Sequence, residues 1–208
     1  MYLTKINDDI AFFLSCRCNV GQVCAVTWRL KNGERFPVDF NELFHTKDIP
    51  VFLHNIKDIE GCKRYMVYKD PFARMVDNYA LMTTGKRNDV LRRIMERRRG
   101  FLPDDSFDDF MEKVVRKEIK DEWQEGHFEP QSFITDRFDI DYVVRSEDLP
   151  LFFNEMGLPF NDFEYNECEQ LDYEQYRKYE PEILELYKED LKIPEINNLW
   201  LPKTDIKK

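Results

Sequence analysis

The chain has 208 residues and a formal net charge of −10, with 42% hydrophobic and 14% aromatic side chains. That length predicts one domain over 1–208, with an acidic helical segment from about 160 onward, and that much apolar material excludes a disordered chain. The acid excess argues against a protein that coats nucleic acid, and only 7 glycines argue against collagen-like or glycine-loop-rich designs.

In chain order, residues 1–9 lack the basic start and long apolar run of a secretory signal. Residues 10–14 form an apolar run of the kind that becomes a strand buried on both faces. Runs at 51–53 (very short), 65–68 and 140–144 read the same way. Helical patterns lie between them. Asp70 and Pro71 read as the N-cap and first residue of a helix over 72–82. Ser106 and Asp109 resemble a capping box, followed by Phe107, Phe110, Met111, Val114, Val115 and Trp123 at near-helical spacing. Residues 176–191 put Ile183, Leu184, Tyr187 and Leu191 on one helical face. Strands alternating with helices predict an α/β fold: a central, mainly parallel sheet flanked by helices, with a helix-rich C-terminal part.

No stretch approaches the ~20 apolar residues that span a bilayer. The expectation is a cytoplasmic protein with no membrane partner. The five cysteines (16, 18, 24, 62 and 168) include no Cys-x-x-Cys pair, which fits small buried thiols in a reducing compartment better than a redox or metal site. No His, Cys or carboxylate cluster has metal-ligand spacing, and no metal is expected. Seven cations between Lys86 and Arg99 stand out on an acidic chain. They form either a solvated helix face or a landing surface for an anionic ligand.

The segment from Lys69 to Tyr79 carries the most chemistry. It follows an apolar strand and opens a helix, with Lys69 before the helix start and Arg74 one turn in. Amides at a helix start with two cations beside them make an anion site, and ligands of open α/β sheets bind at that edge.

This segment, Lys69-Asp70-Pro71-Phe72-Ala73-Arg74 with Asp77 and Tyr79 beyond it, resembles the strand and helix of sulfotransferases that bind the 3′-phosphate of 3′-phosphoadenosine 5′-phosphosulfate (PAPS). Four further segments are similar to the carbohydrate branch of that family, in the same order: Phe107-Asp108-Asp109-Phe110; His127-Phe128-Glu129-Pro130-Gln131-Ser132; Asp141 to Leu149; and Leu186-Tyr187-Lys188-Glu189-Asp190. The resemblance implies a sulfotransferase fold related to the P-loop NTPases, and transfer of a sulfuryl group from PAPS to a hydroxyl acceptor, a carbohydrate in that branch; the basic cluster from Arg92 to Arg99 fits an acidic acceptor. It implies His54 as the base. It also puts Lys69, Arg74 and Asp77 on the 3′-phosphate, and His127, Gln131 and Arg145 on the acceptor side, with Glu147 placed to orient Arg145. The donor loop falls at 21–29 when aligned on Trp28, so Gly21, Gln22, Val23 and Thr27 line the 5′-phosphosulfate; aligned on Val20 and Gly21 instead, Asn19 stands at the family's Lys, and neither choice restores the cation.

This sequence departs from the family pattern at informative places. Gln22 stands where a Lys meets the leaving phosphate, although Arg17 or Arg29 offers a substitute cation. Val26 replaces a hydroxyl, Lys69 an Arg, and Asp77 a Ser. A carboxylate about 4 Å from a phosphate opposes it by ~4 kcal/mol near a protein surface. Alternatively, Asp77 pairs with Arg74 on its own helix. The rival expectation is a non-catalytic protein that keeps the fold as a binding or assembly module. The absence of Gly-x-x-x-x-Gly-Lys-(Ser/Thr) argues against a kinase.

Overall fold

The computed structural model describes residues 1–34, 52–53, 55–83, 89–123, 125–160, 172–196 and 198–202. Four strands form one sheet in the order β1 (Tyr2–Lys5), β2 (Ile10–Leu14), β3 (Lys63–Tyr68), β4 (Tyr142–Arg145). β2, β3 and β4 run parallel, in a register that sets Phe12 beside Tyr65 and Tyr65 beside Tyr142. β1 lies antiparallel on the outer side of β2. This is the α/β, mainly parallel sheet expected from the sequence.

The apolar run at 10–14 becomes β2, and all five of its residues are buried. Its alternate side chains feed two cores, as period-two geometry requires. Phe12 and Leu14 join Tyr65, Val67 and Val144 on one face, covered by α1 (Val20–Asn32) and by Phe152 and Phe153. Phe12 and Phe152 meet edge to face with ring centroids 5.5 Å apart. Ala11 and Phe13 join Met66, Tyr68 and Val143 on the other face, under Ile59, Ile134 and Ile193. Each fully buried large side chain here contributes about 1.5–3 kcal/mol.

A third core lies beside the sheet, among helices. Here α2 (Pro71–Thr83) and α3 (Asp89–Arg99) pack on α4 (Phe107–Phe110), which continues through a π turn at Met111–Val115 into α5 (Arg116–Lys120). Both predicted helix starts form. Asp70 Oδ1 accepts from the Ala73 amide at 2.9 Å, and Ser106 with Asp109 closes a reciprocal capping box. The wider π turn keeps Met111, Val114 and Val115 all facing that core.

Three sequence expectations change. The run at 51–53 contributes a single antiparallel bridge, Phe52 to Thr4, rather than a strand among the described residues. β1 was not anticipated, because four residues give too short a pattern. A turn holds it to β2, with Asn7 Oδ1 accepting from the amides of Asp9 and Ile10, each at 2.9 Å. The helix over 176–191 is broken into a 3-10 helix (Tyr173–Tyr179), α6 (Glu180–Leu186) and α7 (Lys188–Leu191). The second break falls at Tyr187, with φ −113 and ψ 30. Asp190 lies inward on the face of Ile183 and Tyr187, fully buried, while Leu191 faces solvent.

The chain then passes through Ile193–Ile196 and returns to the sheet, where the Val143 amide donates to Asn198 and the Trp200 amide to Val143. No helix among the described residues is long and apolar enough to cross a membrane.

Candidate functional site at the C-terminal edge of the sheet

Strand β2 ends at Leu14 and α1 begins at Val20. The connection, residues 15–19, turns through two left-handed residues, Arg17 (φ 66) and Asn19 (φ 54). Left-handed positions alternating with ordinary ones point successive amides to one side, which is how backbone makes an anion cradle. An L side chain adopts this conformation at a cost of about 1–2 kcal/mol, so surrounding contacts must hold the loop.

Arg74 supplies the first of these contacts. Its Nη1 donates to Ser15 Oγ at 3.1 Å and to the Glu129 carbonyl at 2.8 Å. The guanidinium is 0% exposed. Its counter-charge is Asp190, whose Oδ2 lies 3.7 Å from Nη2, and the Tyr187 ring lies under it with its centroid 5.3 Å away. Nε and Nη2 carry no hydrogen bond.

Gln131 supplies the second. Its Oε1 accepts from the Cys18 thiol at 3.1 Å and from the Lys69 amide at 2.9 Å. Its Nε2 donates to the Lys69 carbonyl at 2.7 Å. One buried amide thus ties the loop after β2 to the end of β3 and fills both acceptor sites of its oxygen. Asp190 Oδ1 accepts from the next amide, Ser132, at 2.9 Å.

Lys69, 18% exposed, pairs its ammonium with Asp77, which is 2% exposed. The Tyr173 hydroxyl donates to the other carboxylate oxygen of Asp77 at 2.8 Å. Asp77 therefore pairs with Lys69 and Arg74 with Asp190, rather than Asp77 with Arg74.

The segment that delivers Glu129 and Gln131 is itself pinned. Glu122 (φ 56) and Trp123 (φ 61) are consecutive left-handed residues, held by the Trp123 amide on the Glu118 carbonyl at 2.7 Å and the Glu125 amide on Glu118 Oε2 at 3.0 Å. Farther on, His127 Nδ1 faces Glu125 Oε1 at 2.9 Å. That hydrogen bond holds the Glu125 carboxyl below its ordinary range against the opposing effect of burial. The His127 carbonyl accepts from Asn78 Nδ2 at 2.9 Å.

The two loop thiols are poor nucleophiles. Burial pushes Cys18 up to about 11, although Arg74 and Lys69 pull the other way. Burial raises Cys16 as well. Both stay protonated at neutral pH, as small buried thiols do.

The predicted site residues fall into three groups. Lys69, Arg74, Asp77 and Gln131 come together at the C-terminal ends of β2 and β3, with His127 close by on the same segment as Gln131. Arg145 ends β4, exposed and one strand away, in register with Tyr68. Gly21, Gln22, Val23 and Thr27 are not loop residues: all four lie on α1. Gln22 accepts a hydrogen bond from the Asn19 side chain. Val23 and Thr27 are buried, and Thr27 Oγ1 donates to the Val23 carbonyl at 2.8 Å. The alignment on Trp28 set the loop one helical turn and more too far along the chain. The connection after β2 is 15–19, and Arg17 lies on it. His54 lies outside the described residues.

Sequence reasoning did not single out Ser15 or Tyr173. Ser15 is marked only by its place after an apolar run, and nothing local marks Tyr173. Of the basic cluster, Arg99 pairs with Glu118 and Asp121 inside the helical core, so it is structural. Arg97 and Arg98 are exposed. Comparisons with protein-family models, curated proteins and solved structures return no match.

Proposed function

We propose that the chain binds a nucleotide through its 5′-phosphates on loop 15–19 and transfers a sulfuryl group from a 5′-phosphosulfate to a hydroxyl acceptor, a carbohydrate in the branch it resembles. The observation that carries this reading is the loop itself. Two left-handed residues, one of them Arg17, stand between the end of a central parallel strand and a helix start, and Arg74 and Gln131 bind that turn to the Lys69 end of β3. Ligands of open α/β sheets lie at such an edge.

In the reaction the acceptor oxygen bonds to sulfur and its proton passes to a base, His54 by resemblance. The bridging S–O bond breaks with its electrons going to the phosphate. Charge building on that phosphate needs donors already in place, and removing one such donor costs about 3 kcal/mol, or ~100-fold in rate. The loop amides and Arg17 supply them, in place of the Lys expected at position 22.

One observation favours a second reading, a non-catalytic binding module. Both Lys69 and Arg74 face a carboxylate of the protein, Asp77 and Asp190.

Thermal unfolding with adenine nucleotides at millimolar concentration, with and without a 3′-phosphate, separates the two. A ligand at 100 times its dissociation constant stabilises by about 2.7 kcal/mol, a shift of several degrees. We expect such a shift in the wild type with at least one nucleotide, and at least tenfold weaker binding in Arg17→Ala. No shift with any of them sinks the nucleotide reading and leaves the module.

A further inference from the structure

Loop 15–19 and the end of β3 are joined by one atom: Oε1 of Gln131 accepts from the Cys18 thiol and from the Lys69 amide, at 3.1 and 2.9 Å. A nucleotide whose 5′-phosphates occupy the loop has the end of β3 beside it, tied to the loop by Gln131. The sugar crosses to the neighbouring strand end. What it meets there is a carboxylate. Asp77 Oδ2 takes the Lys69 ammonium and Oδ1 takes the Tyr173 hydroxyl.

An ionised carboxylate only accepts hydrogen bonds. A ribose hydroxyl can replace the Tyr173 hydroxyl on Asp77, one neutral donor for another, and leave the Lys69 pair whole. A ribose phosphate has no such exchange. It must take Lys69 away from Asp77 and leave the carboxylate, nearly without solvent, beside a dianion. An acidic residue reading ribose hydroxyls, where a cation would read a ribose phosphate, is how dinucleotide sites separate their two cofactors.

We infer that this site takes a nucleoside 5′-phosphate or 5′-phosphosulfate with free ribose hydroxyls and rejects one carrying a 3′-phosphate. The inference rests on loop 15–19 holding the 5′-phosphates, and it replaces PAPS as donor with its counterpart lacking the 3′-phosphate.

Calorimetric titration of wild type and Asp77→Ser with adenosine 5′-monophosphate and with adenosine 3′,5′-bisphosphate tests it. In the wild type the monophosphate should bind at least tenfold more tightly. In Asp77→Ser, where Lys69 loses its internal partner, the order should reverse. Should the serine variant not fold, Asp77→Asn keeps the shape without the charge and should at least abolish the preference. A wild type preferring the bisphosphate overturns the inference while leaving the loop reading intact, and so does a preference for the monophosphate that survives both substitutions. Failure of both nucleotides to bind either protein removes the loop reading and this inference with it.

Discussion

A guanidinium with no solvent contact must have its charge answered within a few ångströms, and Arg74 is answered by Asp190 at 3.7 Å. Taking two ions out of water costs several kcal/mol each, and their attraction offsets this only when both are present. Removing one partner is therefore worse than removing both. We expect Arg74→Met or Asp190→Asn alone to destabilise by about 3–5 kcal/mol. The double variant should lose clearly less than the sum, because neither ion is then stranded. Urea unfolding of all four proteins as a double-mutant cycle measures this. Strictly additive losses would show that the two charges do not answer each other. The spacing of Tyr187 and Asp190 in the last helix was visible in the sequence, but its meaning was not. The sequence reading turns Leu191 inward, but Asp190, two turns after the buried Ile183 and on its face, is the residue that meets Arg74, and Leu191 faces solvent.

The element that organises the site is the irregular segment 125–132. It offers no periodicity, so pattern reading could flag its residues only by resemblance. Strand β2 was legible because five consecutive apolar residues have one physical explanation, burial on both faces. The start of α2 was legible because Asp70 and Pro71 act locally. The connection after β2 was misplaced for the opposite reason. Trp28 served as the anchor, yet it sits on α1, and the length of a connection between strand and helix is not written in side-chain pattern. What holds segment 125–132 to the sheet is chiefly Gln131, which gives the Lys69 backbone both a donor and an acceptor. Replacing it with Met keeps the volume and deletes those partners. A buried backbone group left unsatisfied costs about 1–3 kcal/mol, so Gln131→Met should destabilise by about 2 kcal/mol. Amide exchange at Lys69 should accelerate before that of the rest of β3. Unchanged protection at Lys69 would mean that another group holds this edge.

On the scale of the whole molecule, the C-terminal stretch is built into every core. Ile183 and Tyr187 enter the helical core, Ile193 the second face of the sheet, and Trp200 the first. Trp200 packs edge-on against Phe152, with ring centroids 5.2 Å apart, and its amide donates to Val143 at 2.8 Å, covering part of the outer side of β4. A segment distributed in this way should unfold with the sheet, as one cooperative unit. Trp200→Ala removes a large buried ring, which costs about 3–5 kcal/mol in a packed core. At about 2–4 °C per kcal/mol for a domain of this size, the melting temperature should fall by roughly 10 °C. In the wild type the near- and far-ultraviolet circular dichroism transitions should coincide, because the Trp200 ring anchors both the tail and the sheet. If instead Trp200→Ala left the melting temperature unchanged, or the wild-type near-ultraviolet signal were lost well before the sheet melted, residues 198–202 would be an appendage. The path from Asp190 back to β4 would then play no part in holding the Arg74 site together.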